Sequence, residues 1–194
     1  MVNIKFSVLM SLYKNEKSEY LSSCLESLAN QTVKPTEIIV VIDGPISEEL
    51  YKVIKDFKYI LPIIIKPLDK NVGLGKALNY GLGFCNYNYI ARMDTDDICL
   101  PERFEKQLEY MISNPKVSLL GSSIIEFDKN YEREKNLPVD NVDIIKFAKW
   151  KNPFNHMSVF FKKEDVIKLG GYKHHLYMED YNLWLRIIDA GLLT

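Results

Sequence analysis

Apolar residues along the chain keep a repeating rhythm: a short consecutive run, a polar break, then apolar positions three or four apart. Residues 6–11 form the first run, and Leu21, Cys24, Leu25 and Leu28 follow at the spacing of one helix face. Residues 38–42 form a second run, rich in β-branched side chains and closed by Asp43-Gly44, after which Ser47 can cap a helix carrying Leu50, Val53, Ile54 and Phe57 on one side. The third run, residues 60–65, leads through Asn71-Val72-Gly73 to a helix with Leu74, Ala77, Leu78 and Leu82. The fourth, residues 87–93, ends in an acidic cluster, and Pro101 then starts a helix with Phe104, Leu108 and Met111 on its buried face. Such strand-helix units in succession predict right-handed crossovers and an α/β fold with a mixed, mainly parallel central sheet and helices on both faces, Rossmann-like in its first half.

From Val117 the rhythm loosens. Residues 117–127 read as one longer strand, 142–150 as a helix, 157–161 as a strand, 164–169 as a short helix ending at Gly170-Gly171, and 181–188 as an amphipathic helix. With no Pro/Gly/Ser-rich linker and no internal repeat, residues 1–194 read as a single domain, long enough for a real core. The chain stops shortly after its last helix, at Gly191-Leu192-Leu193-Thr194, which suggests a C-terminal truncation.

Charge and cysteine content narrow the class. The 25 Lys and Arg against 26 Asp and Glu leave a formal net charge of -1, which argues against nucleic acid as a partner. Cys24, Cys85 and Cys99 are odd in number, far apart and set in apolar runs, the pattern of a reducing compartment. Met1-Val2-Asn3-Ile4-Lys5 does not resemble a secretory signal. The run at 60–65 is broken by Pro62 and falls far short of the ~20 apolar residues that span a bilayer, so a soluble chain is the expectation.

Ligands of open α/β sheets bind beyond the carboxyl ends of the strands, where strand order reverses, here between the first and fourth strands of an expected 3-2-1-4 order. Ser11 and Tyr13 follow the first strand, Asp43 the second, and Asp94, Asp96 and Asp97 the fourth. In extended backbone Asp94 and Asp96 face one side and Asp97 the other. Two convergent carboxylates need a counter-ion, and Mg²⁺ or Mn²⁺ fits with room left for phosphate oxygens and water. A solvated loop whose Asp caps the next helix is the structural alternative. A phosphatase-type DxDx[TV] pattern fails at Ile98. In the second constellation, Glu179-Asp180-Tyr181-Asn182-Leu183-Trp184, Asp180 sits near a helix start with Trp184 one turn on. Asp180 is either a helix-dipole partner or a general base whose pKa Glu179 would raise and the dipole would lower.

With those residues in place, the chain resembles a family 2 glycosyltransferase of the GT-A fold, of the bacterial surface-polysaccharide type. The matching pieces are Phe6-Ser7-Val8-Leu9-Met10-Ser11-Leu12-Tyr13, Glu37-Ile38-Ile39-Val40-Val41-Ile42-Asp43-Gly44, Asn71-Val72-Gly73-Leu74-Gly75-Lys76-Ala77-Leu78-Asn79, Ala91-Arg92-Met93-Asp94-Thr95-Asp96-Asp97, Gly170-Gly171-Tyr172 and Glu179-Asp180-Tyr181-Asn182-Leu183-Trp184-Leu185-Arg186. The resemblance implies a nucleotide-sugar-binding half at 1–100 and an acceptor-binding half at 101–194. It implies Ser11, Tyr13 and Asp43 on the nucleotide, Asp94, Thr95 and Asp96 on the sugar diphosphate, a Mn²⁺ or Mg²⁺ ion held by Asp96 and Asp94, and Asp180, assisted by Glu179, as the base of an inverting transfer. The donor would be a nucleotide-diphosphate sugar, a UDP-sugar first, and the acceptor a saccharide or lipid-linked saccharide in O-antigen, capsule or exopolysaccharide synthesis. A cytoplasmic location at the inner membrane face, peripheral membrane association and a homodimer go with it.

Single residues stay open. Lys76 is a diphosphate contact or a solvated helix face; His156 and Trp184 are acceptor or phosphate contacts or structural groups; Arg92, inside a buried strand, calls for a carboxylate partner. The QxxRW signature of processive synthases is absent, pointing to transfer of one sugar. A sugar nucleotidyltransferase would need a Gly-rich basic loop after the first strand, where this chain has Ser11-Leu12-Tyr13-Lys14-Asn15-Glu16. A binding protein without turnover is the remaining alternative, against which stand the intact Asp96 and Asp180.

Overall fold

The computed structural model describes residues 4–194, so Met1, Val2 and Asn3 of the N-terminal reading lie outside the described residues. Strands β1 (Phe6–Leu12), β2 (Glu37–Asp43), β3 (Ile63–Leu68) and β4 (Tyr89–Arg92) pair in parallel in the order β3-β2-β1-β4. Beyond β4 the sheet continues through β8 (Phe160–Lys162), antiparallel to β4, and β5 (Leu119–Leu120), antiparallel to β8. The expected mixed, mainly parallel sheet and its 3-2-1-4 order are both present.

Side-chain alternation divides the core in two. Val8, Met10 and Leu12 of β1 and Ile38, Val40 and Ile42 of β2 face helices α1 (Ser18–Ala29), α2 (Glu48–Phe57) and α4 (Arg103–Ser113). Leu9, Ile39 and Val41 face the opposite way, onto α3 (Leu74–Leu82) and α7 (Glu179–Asp189), with α5 (Asn141–Phe147) and α6 (Lys163–Lys168) adding Ile144 and Val166. β1 and β2 are therefore buried on both sides, which is why they read as continuous apolar runs. Each such Val, Ile or Leu contributes about 1.5–3 kcal/mol by leaving water. Ser47 caps α2 as its sequence suggests, its Oγ accepting from the Leu50 N–H at 3.3 Å.

Three expected strands differ from those observed. The run at 60–65 begins its strand only at Ile63, because Ile60 and Leu61 finish the last turns of α2, both N–H groups donating to the Phe57 carbonyl, and Pro62 has no N–H to pair. The single strand expected over 117–127 is two. After β5 the chain passes Gly121, where a Cβ would come within 2.7 Å of the Phe154 ring, and Ser122 leaves the sheet to donate to Ser158 Oγ. Its second part, β6 (Ile124–Phe127), pairs with β7 (Glu132–Lys135) in a separate antiparallel hairpin. The strand expected at 157–161 starts later, since His156–Ser158 is a 3-10 turn fastened by Ser158 N and Oγ, both donating to the Asn155 carbonyl.

The sheet's outer strands are short or interrupted. β3 carries Lys66 and an exposed Pro67, and β5 has 2 residues.

Candidate active site

The strands end together at the switch point between β1 and β4, and the chain segments that follow them build one polar cleft edge. At β4, Arg92 is fully buried and pairs with Asp94, the Nη2 to Oδ1 distance being 2.5 Å, while its Nη1 donates to the Met93 carbonyl. The carboxylate partner that a buried arginine demands is thus one of the two aspartates read as metal ligands. Burial works to raise the Asp94 carboxyl, but Arg92, His156 and Arg103 outweigh it and hold it below its usual value.

Asp96 is exposed, and its carboxyl lies above the usual range through desolvation and the charges of Asp94 and Glu16. Thr95 turns inward, buried, and its hydroxyl donates to Glu16 Oε2, so in this arrangement it orients Glu16 rather than facing a ligand. The backbone turns at Thr95 and Asp96, so the strand alternation expected over 94–97 does not apply; Asp97 Oδ2 is buried without a partner, and burial with Asp94 and Asp96 pushes its carboxyl up to about 6. Mutually repelling carboxylates of this kind fit a divalent cation. No three His, Cys, Asp or Glu side chains among the described residues could hold one by themselves. The donor set suits an ion that takes one or two carboxylates and completes its shell with substrate phosphates and water.

Asp43, at the end of β2, is buried and largely occupied. Its oxygens accept from Val72 N at 2.7 Å, Gly73 N at 3.1 Å and Asn71 Nδ2 at 2.9 Å. This carboxylate therefore fastens the turn that opens α3, leaving about one lone pair for a ligand. Gly44 allows the approach, with φ +83 and a would-be Cβ 2.6 Å from the Asn71 nitrogen. Ser11 is half-buried at the end of β1, Tyr13 is 45% exposed beyond it, and Lys76 is exposed in the first turn of α3.

Asp180 lies in the first turn of α7, half-buried, where its Oδ2 accepts from Asn152 Nδ2 at 2.6 Å. Glu179 beside it is buried against Gly75 of α3, where a Cβ would meet its Cγ at 2.6 Å. His156 opens the 3-10 turn that precedes β8. Its Nε2 lies 3.1 Å from the Tyr172 hydroxyl, and its ring meets Trp184 edge-on at 5.9 Å. Burial, then Arg92, drive its pKa down to about 4 against the pull of Asp94 and Asp180, so both carboxylates lie within electrostatic reach of one neutral imidazole. Tyr172, raised by burial, feels the same two carboxylates. Trp184 is wholly buried, packed on Phe154 and His156 with its indole N–H unpartnered, and it offers no face to an acceptor. The one-turn spacing from Asp180 put it on the same side of α7, but that side is the one pressed on the second core.

Four residues escaped the sequence reading. Glu16 is a polar residue after the first strand, Asn152 and Tyr172 flank apolar positions, and Arg103 carries no signal beyond a helix position. Arg103 is held by the Arg92 carbonyl at 2.8 Å and joins the end of β4 to the 3-10 turn before β8.

Known proteins share this chain's sequence and fold. The family described as "Glycosyl transferase family 2" matches residues 7–170. The amylovoran biosynthesis glycosyltransferase AmsE of Erwinia amylovora is 60% identical over 187 residues, 96% of this chain and 70% of that protein. An Escherichia coli enzyme named as the UDP-Gal:alpha-D-GlcNAc-diphosphoundecaprenol beta-1,3-galactosyltransferase is 40% identical over 96% of this chain and 69% of its own length. Among solved structures, S. aureus TarS in complex with UDP-GlcNAc superposes with a TM-score of 0.75 at 17% identity, covering 94% of this chain and 53% of that one. A mannosyltransferase of Pyrobaculum calidifontis, in complex with GDP-Man and Mn²⁺, gives 0.74 at 15% identity, covering 97% and 53%. The chain thus spans about two thirds of its curated relatives and about half of these structures, and the structures attest the fold.

Proposed function

The chain belongs to glycosyl transferase family 2, and on that premise we propose that it moves one sugar from a UDP-sugar to a hydroxyl of a lipid-linked saccharide, with inversion, in the assembly of a bacterial surface polysaccharide. The observation that supports this reading is that the turn at His156 links the two carboxylate centres: the Arg92 N–H, two residues before Asp94, donates to the Val159 carbonyl at 2.9 Å, and the His156 ring packs on Trp184, one turn after Asp180, at 5.9 Å. A donor-side carboxylate pair and a basic carboxylate on linked elements are what a displacement between a bound donor and an incoming hydroxyl requires. The names of the relatives, one in amylovoran biosynthesis and one acting on a diphosphoundecaprenol-linked sugar, supply the acceptor class.

Residues 1–100 form the donor half in this reading and 101–194 the acceptor half. Ser11, Tyr13 and the turn fastened by Asp43 receive the nucleotide; Lys76 stands along the diphosphate; Asp96, with Asp94 behind it, would hold the divalent cation, and Thr95 orients Glu16 beside them. A bound Mn²⁺ or Mg²⁺ would supply positive charge to the departing nucleoside diphosphate. Arg92 keeps Asp94 ionised at any working pH, and Asn152 fixes one Asp180 oxygen so that the other faces the acceptor. As the acceptor oxygen bonds to the anomeric carbon, its proton passes to Asp180, the bond to the diphosphate breaks on the opposite face, and the electron pair leaves with UDP. His156, half-buried with its pKa down at about 4, carries no charge at neutral pH.

Thermal shifts with UDP and UDP-sugars, with and without Mn²⁺, test the donor site, because a ligand of the folded state raises apparent stability. Asp96→Ala is expected to abolish the metal-dependent shift. Asp180→Asn is expected to keep it and to lose transfer by about 10²–10⁴-fold. Full transfer by Asp180→Asn would sink the base assignment, and a wild-type protein with no metal-dependent shift would sink the donor site.

A further inference from the structure

Beside Asp180 the surface turns aromatic and basic. Trp150 is 85% exposed and Tyr177 86% exposed, and each is tied closely to the first turn of α7. The Tyr181 hydroxyl donates to the Ala148 carbonyl and Asn152 donates to Asp180, both at 2.6 Å, so Trp150 sits midway along a segment pinned at both ends to that turn. Tyr177 precedes Asp180 by three residues, next to the exposed Leu176 and Met178. The rim carries Lys149, Lys151, Lys173, His174 and His175 within a chain of net charge -1, whereas Lys146 and Lys168 pair with Asp143 and Asp165, and Lys162 and Lys163 donate to the Pro115 and Cys85 carbonyls. Lys149, Lys151 and Lys173 are exposed and in none of the ion pairs among the described residues.

We propose that this rim, carried by Lys149-Trp150-Lys151 and the loop at Tyr177, docks the protein on an anionic lipid bilayer. The proposal rests on the reading above that the acceptor is lipid-linked, and it assigns the surface that meets the lipid. Trp and Tyr, apolar in body and polar at one edge, partition to the boundary between headgroups and chains, and lysines beside them are drawn to anionic headgroups. Tyr177 holds φ +64 as the third residue of a turn closed by the Met178 N–H donating to the His175 carbonyl at 2.7 Å, which sets its side chain at the loop's exposed tip. A second copy of the chain is a poorer occupant, since two such rims would set like charges against each other. Docking here lays the first turn of α7 along the membrane, with Asp180 at the level of the headgroups where a lipid-borne sugar presents its hydroxyl.

The test is co-sedimentation with vesicles of equal parts phosphatidylglycerol and phosphatidylcholine, against phosphatidylcholine alone, at low and high salt. The wild-type protein is expected to bind the anionic vesicles and to release as salt rises. Trp150→Ser with Tyr177→Ser, and separately Lys149→Gln with Lys151→Gln, are each expected to lower partitioning by about tenfold or more while keeping the UDP-induced thermal shift. The lysine pair lies wholly at the surface and serves if the aromatic pair disturbs folding. Wild-type protein that stays in the supernatant, or variants that sediment like wild type, overturns the proposal, as does dimerisation that Trp150→Ser abolishes in the absence of vesicle binding. Vesicle binding without any UDP shift supports the rim and fails the donor site instead.

Discussion

The two faces of the sheet bury similar side chains but are assembled differently. One is covered by α1, α2 and α4 and is apolar apart from groups that staple loops together: Gln31 reaches the Cys99 and Leu100 carbonyls, and Gln107 the Ser158 carbonyl. The other is covered by α3 and by the last third of the chain, and its packing includes His156, Tyr172 and Trp184, the last on the helix that carries Asp180. A helix that only closes a core can be read by its stripe. Where a helix also presents reacting groups, its buried face is shared between packing and chemistry, and substitutions there should separate from those on the purely structural face.

The largest expected effect tests the structural face. Phe104→Ala removes a ring packed edge-on against Phe6 at 5.1 Å and should cost about 3–5 kcal/mol in denaturant unfolding, with the UDP-induced shift intact at a temperature where the variant is folded. Next come two glycines of one helix that point to different neighbours. Gly81→Ala would set a Cβ within 2.6 Å of Val41 and 2.7 Å of Leu9 and should cost about 1–3 kcal/mol of stability with transfer kept by the folded fraction. Gly75→Ala instead meets Glu179, displacing the start of α7, and should lower transfer by up to about a hundredfold for a smaller loss of stability. Equal profiles for the two variants would erase the distinction, within this shared face, between a contact that only packs and one that sets the start of α7.

The smallest effect is a slope. The folded-state pKa of His156, about 4, lies below its unfolded value of 6.5, so its contribution to stability is complete above pH 6.5 and is lost as pH falls toward 4. His156→Gln should remove about one proton from the pH dependence of unfolding across that window, leaving the rest of the curve in place. An unchanged slope would show the imidazole to be free to protonate in the folded protein.

Most of the first hundred residues were legible because each strand there is followed by the helix that covers it. Buried strands give runs, their helices give stripes, and the switch point follows from order alone. The later chain was harder for a physical reason: its elements answer to distant partners. The strand stops after Leu120 because Phe154 fills the space at Gly121, and Met157 is held in a tight turn by Asn155 and Ser158. Within the site, the acidic cluster was readable but its division of labour was not. Nothing in Asp94-Thr95-Asp96 says that Arg92 pairs the first, that Glu16 accepts from the second, and that only the third is left open to solvent.

The short outer strands have a consequence for how copies of this chain behave at high concentration. Pro67 offers no N–H to an incoming strand, Lys66 sets a charge beside it, and two residues of β5 are too few to template another at the far side. Edge-to-edge growth into aggregates is thereby discouraged at both ends, so a protein whose aromatic rim is kept exposed need not rely on that rim being covered to stay dispersed.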